Sequence, residues 1–183
     1  MLRLALICFC LAASQAHAQQ QAPLPSEPDS VALAFARALS QHDFSAAAAL
    51  VYPASLSELQ DDLVIVAGAA PDEERARWMT GVESAQAVAA LPPGEAFAHH
   101  MNRLLDIMPH LGQAFRAYNP RLIGTMVKSD TAYVVLGVQA TEMSTVLEDA
   151  HAPRLLRSDR GWRVLLPARL RGLAANLAGK RRE

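Results

Sequence analysis

Cysteine is scarce in this 183-residue chain, and its placement decides what it excludes. The two cysteines, Cys8 and Cys10, both fall in an N-terminal apolar stretch that reads as a removable signal. Past that stretch no thiol remains, which excludes a disulfide, a thiolate zinc site and a cysteine nucleophile. Lysine is nearly missing too, with Lys128 and Lys180 alone, and aromatics make up 5% of the chain. Neither charge sign dominates, the net charge being −1, so there is no general nucleic-acid signal. No apolar run reaches membrane-spanning length, so stable insertion into a bilayer is not expected. A Gly-rich phosphate loop and a nucleophile-elbow serine are also lacking. What is present is 51% apolar and 19% charged residues, a composition that folds. Without its first 18 residues the chain suits one domain that buries roughly two-thirds of its unfolded surface.

The first residues carry a compartment signal. Met1-Leu2-Arg3 is a short positive start, Leu4 to Ala13 is apolar, and Ala16-His17-Ala18 offers small residues where a signal peptidase reads. Cleavage is expected after Ala18, releasing the product to the periplasm or the medium. Phe9 before Cys10 argues against a lipoprotein site. Residues 19–25 then form a polar, flexible leader, and residues 26–183 a single domain.

Charge is unevenly spread. Residues 19–153 hold 7 basic and 16 acidic side chains, whereas residues 154–183 hold 9 basic and 2 acidic. Either the basic C-terminal segment folds onto an acidic body, or it offers a basic surface to an anionic partner. The first reading needs no partner and is preferred.

Periodicity divides the domain at residue 118. Ser26 caps a helix carrying Val31, Phe35, Ala38 and Leu39, and Asp43 caps a second running from Phe44 to Tyr52. Leu59, Leu63 and Val66 fall at helical spacing, although Leu63-Val64-Ile65-Val66 also suits a buried strand. Helices are expected after Pro71, with Trp78, and over Ser84 to Leu91. Phe97, Met101, Leu104, Leu105, Met108, Leu111, Phe115 and Tyr118 trace one stripe, interrupted at Pro109 by a kink or a junction of two helices. Beyond it, Arg121–Lys128 pairs with Thr131–Ala140, and Leu155-Leu156 pairs with Trp162–Leu166 across a turn ending in Gly161. Residues 141–153 read as a polar connection. Arg169 to Ala178 reads as a closing helix with Leu170, Leu173 and Leu177 on one face, docked on the protein's own body. The fold class is therefore α+β: an N-terminal helical layer (26–118) on a curved antiparallel sheet of about four strands, with a C-terminal helix.

Three segments carry a family resemblance: Ser26 to Pro53; Gly124 with Asp130-Thr131-Ala132-Tyr133-Val134-Val135; and Gly161-Trp162-Arg163-Val164. Together they resemble bacterial nuclear-transport-factor-2-like proteins at both ends of the domain. The helical middle, 55–118, departs from the family's shorter connection. The resemblance implies a sheet wrapped around helices into a cone that can hold a small ligand. Tyr118, Tyr133 and Met101 are the residues expected to line that pocket.

Little else in the sequence carries chemistry. His99, Arg103, Asp106 and His110 lie near one helix face, with Glu95 close by. His99 and His110 are three turns apart, roughly 16 Å, too far to share a metal ion. A solvated face of Glu95–His99 and Arg103–Asp106 pairs explains them better. No strand carries a convincing inward Asp or His base, and Glu142, Glu148, Asp149 and His151 read as an acidic solvated loop. The expected function is non-catalytic binding of a small apolar ligand or an envelope partner, without metal or cofactor. A homodimer through the sheet is a further expectation. The competing function is an isomerase- or cyclase-type enzyme.

Overall fold

Pro28 fixes where the first helix begins. Its ring presets the backbone angle of the first helical position, so the helix takes Glu27 as its N-cap, and no side chain caps it. Ser26, the expected cap, lies one residue too early. A computed structural model describes residues 25–117, 119–142 and 145–167. Among them, α1 (Pro28–Ser40), α2 (Phe44–Ala49), α3 (Pro53–Gly68), α4 (Glu73–Thr80), α5 (Ala85–Ala90), α6 (Pro93–Ile107) and α7 (Pro109–Ala117) precede the sheet. The sheet follows as β1 (Asn119–Lys128), β2 (Thr131–Glu142), β3 (Thr145–His151), β4 (Arg154–Ser158) and β5 (Gly161–Val164). The architecture is mixed α+β, with the helices N-terminal of an antiparallel sheet. The sequence-predicted helix over 169–178 lies outside the described residues.

Caps act where short polar side chains precede helices. Asp43 accepts from the Ala46 amide at 2.9 Å, Asp72 from Arg75 at 2.7 Å and Ser84 from Ala87 at 3.1 Å. α2 stops at Ala49, short of the expected Tyr52. The chain instead turns extended at Val51 and pairs with the sheet: the Tyr52 amide donates to the Val164 carbonyl, and the Val164 amide to Leu50. Leu63 and Val66 are buried in helix α3, so the Leu63–Val66 run is helical. At Pro109 the stripe divides into α6 and α7.

The strands run in the order β1-β2-β4-β5, with β3 also on β2. β3 and β4 share one edge of β2: Leu136–Glu142 pairs with β3 and Thr131–Tyr133 with β4. They are two halves of one return strand, interrupted at Ala152-Pro153, where proline cannot continue the ladder. Residues 141–153 are thus largely strand, not the polar connection expected. Backbone pairing to the long edge of β2 decides this, and no apolar alternation announced it.

Two cores form. β2 turns Ala132, Val134 and Leu136 to one face, each fully buried, where they meet Val31, Ala32 and Ala36 of α1 together with Leu155, Trp162 and Val164. The second core is helical and gathers Phe44, Leu59, Leu63, Val88, Phe97, Met101 and Leu104. Phe35 packs against both. Gln60 ties α3 to α5 by donating to the Val88 and Leu91 carbonyls at 2.8 and 2.7 Å, at the end of the short helix, where the Val88 carbonyl also accepts the Leu91 amide.

Gly81 ends α4 in the left-handed region, at φ +86°. A Cβ there would lie 2.9 Å from the His99 carbonyl oxygen of α6. Gly81→Ala therefore combines left-handed strain with a backbone clash and should cost on the order of 2–3 kcal/mol. Chemical denaturation checks this; a loss under about 0.5 kcal/mol would mean that α4 does not sit this close to α6.

Candidate functional site

The clearest cleft lies between α4 and α6. It has a volume of about 430 Å³ and is lined by Glu74, Arg77, Trp78, Gly81, His99, Asn102, Arg103 and Asp106. Arg103 is its organising side chain. Its Nε donates to the Trp78 carbonyl at 2.8 Å, supplying a partner to the C-terminal end of α4, and its guanidinium meets Asp106 at 3.4 Å. Arg75 stacks 4.1 Å above the Trp78 ring and Arg103 stands 6.0 Å from it. Arg77 faces Glu83 at 3.5 Å. Cations and carboxylates are mixed, and His99, Asn102 and Asp106 are exposed, so the cleft holds a solvated polar network.

The cleft unites His99, Arg103 and Asp106 as the helical spacing suggests, while Glu95 and His110 stand outside its lining. Glu74, Arg77 and Trp78 join from α4, a contact made by tertiary packing that local spacing cannot announce. No group of three or more His, Cys, Asp or Glu among the described residues is placed to hold a metal ion.

The residues expected to line a cone pocket stand apart. Met101 is buried in the helical core. Tyr133 is 37% exposed and points to the sheet face opposite the buried Ala132 and Val134. Tyr118 lies outside the described residues.

An imidazole is sealed in the helical layer. His100 is 2% exposed, and neither ring nitrogen has a hydrogen-bond partner. Desolvation lowers its pKa from 6.5 to about 4. His100 is not among the cleft residues, although His99 beside it is. The helical turn sends the two side chains in different directions.

The sheet presents a different kind of surface. On β1, Leu122, Ile123, Met126 and Val127 are 41%, 58%, 61% and 53% exposed. Register assigns their faces. Val127 pairs with Ala132 and Leu122 with Leu136, on the side that α1 covers; Met126 pairs with Tyr133 on the other. Between them the register shifts between Leu122 and Gly124, a bulge that sets Ile123 beside the second face. Gly137 leaves room there: an added Cβ would approach Ile123 Cδ1 at 3.0 Å and Arg121 Nε at 3.1 Å. β1 therefore exposes apolar side chains on both faces. Among the described residues, its pairing is with β2 alone.

Comparison of the chain with protein-family models, curated proteins and solved structures finds no match.

Proposed function

We propose that this is an exported, non-catalytic interaction domain that engages an envelope or extracellular partner through the β1 side of its sheet. The observation that carries this reading is the four exposed apolar residues on β1, a feature that long edge strands ordinarily avoid. A small-ligand role inside the α1–sheet layer has less support, since Val31, Ala32, Ala132, Val134, Leu136 and Leu155 are fully buried against one another. The isomerase or cyclase reading has less support: the reachable His99 and Asp106 stand in a solvated polar cleft, and the apolar-buried His100 is packed shut. The nuclear-transport-factor-2-like reading is part of the proposal; the helix-first order and the terminal hairpin around Trp162 support it.

Export rests on the Arg3, Leu4–Ala13 and Ala16-His17-Ala18 pattern. The exported chain is expected to begin at Gln19 on N-terminal sequencing, and an intact Met1 in that fraction would contradict it. The interaction is tested by a photo-crosslinking residue placed at Met126 in the exporting cell, with exposed Arg116 of α7 as the control position. A discrete adduct from position 126 alone is expected. No adduct, or equal labelling at both positions, would contradict an interface at β1.

A further inference from the structure

We infer that the partner contributes an extended, acid-flanked segment that adds as a strand along the edge of β1 that no other described strand pairs; this rests on the interaction reading above. The exposed apolar residues lie on both faces of one strand, Leu122 and Val127 on one and Ile123 and Met126 on the other. A body docked on the sheet, or a membrane surface, covers a single face. A strand laid beside β1 covers both, and it pairs the backbone groups of the edge at the same time.

Charge selects among strands. β1 carries Arg121 and Lys128 and no acid. Arg154 follows on the outer face beside Tyr133, while Asp130 and Asp159 occupy the hairpin turns. An incoming strand with carboxylates near its ends and apolar residues between them matches this pattern. A second copy of β1 matches it poorly. The antiparallel register that stacks Leu122 on Val127 and Ile123 on Met126 also sets Arg121 opposite Lys128, and like charges directly opposite destabilise a pair. The chain's own residues 168–183 carry five cations and one acid, with leucines at helical rather than alternating spacing, so they too fit poorly.

The test uses the exported protein and a fluorescent, end-blocked peptide, Glu-Val-Thr-Val-Thr-Val-Thr-Glu. Saturable binding is expected, weakened at least about tenfold when lysines replace both glutamates. N-methylation of every valine and threonine amide, which removes donors from both edges of the peptide, should abolish it. Val127→Asp should weaken binding by a similar factor, with circular dichroism confirming its fold. Slowed amide exchange in β1 on peptide addition gives a readout that needs no variant. Absence of binding, or binding indifferent to N-methylation, overturns strand addition. Concentration-dependent self-association with protected β1 amides overturns the choice of partner in favour of a second copy. If the crosslink from position 126 persists while the peptide fails, the interaction reading stands and this inference alone falls.

Discussion

Replacing Trp162 by alanine is expected to remove about 3–5 kcal/mol of stability. Trp162 is 7% exposed and lies in the core that joins α1 to the sheet, with Val31, Ala32, Ala36, Leu155 and Val164 around it. Three of those neighbours are fully buried on helix or strand frames, so the site cannot close around a missing indole. The neighbouring backbone is held independently. Leu155 pairs with Val164 and Ser158 with Gly161, and the Ser158 hydroxyl donates to the Gly161 carbonyl at 2.8 Å. The loss therefore reports packing and not a lost hairpin. Against a typical stability of about 5–15 kcal/mol for such a domain, it is a large fraction. Urea unfolding with an unchanged slope measures it; a loss below about 1 kcal/mol would place Trp162 outside the core.

The second large effect is a loss of stability in acid carried by His100. Its folded-state pKa is lowered to about 4 from 6.5 by burial, so the unfolded chain binds the proton more readily. This contribution is whole above pH 6.5, is lost progressively as the pH falls toward 4, and changes no further below that. The whole shift amounts to about 3 kcal/mol, most of it gone by pH 4.5. His100→Leu removes the titrating group and both unpaired nitrogens, so it should hold or raise stability at pH 7.5 and flatten the decline. Unfolding curves from pH 7.5 to 4.5 compare the two proteins. Parallel declines would show that His100 does not titrate between these states. Carboxylates titrating in the same window affect both proteins alike, which is why the difference is the quantity measured.

The elements legible in the sequence were those fixed by local chemistry. Asp43 caps as its type and spacing suggest, and Pro109 separates two helices as its missing donor requires, whereas at α1 the expected Ser26 cap yields to Glu27 because Pro28 takes the first helical position. The Gly161 turn adopts φ +92°, the conformation that recommends glycine there. Features set by distant contacts were not legible. β3 forms on backbone pairing to β2, across a stretch whose acids read as a loop. The α4 side of the cleft depends on Gly81 meeting a carbonyl of α6, which nothing near residue 81 encodes. Tyr133 is expected to line a pocket only through the family resemblance, and strand alternation gives two faces but not which one is covered. Exposure on β1 is hidden for the same reason: Leu122 and Val127 lie on the α1 side and Ile123 and Met126 on the other, and no local pattern tells how far either side is covered.

The central claim is that the far edge of β1 is open and offered to a partner. Residue-resolved amide exchange of the isolated protein tests it most directly. In β1, amides bonded to β2 should exchange slowly, and those pointing away from β2 should exchange at nearly unprotected rates. That alternation along residues 121–128 is the predicted result. Uniformly slow exchange along β1 in the isolated monomer would show that the chain covers its own edge, and would contradict the account.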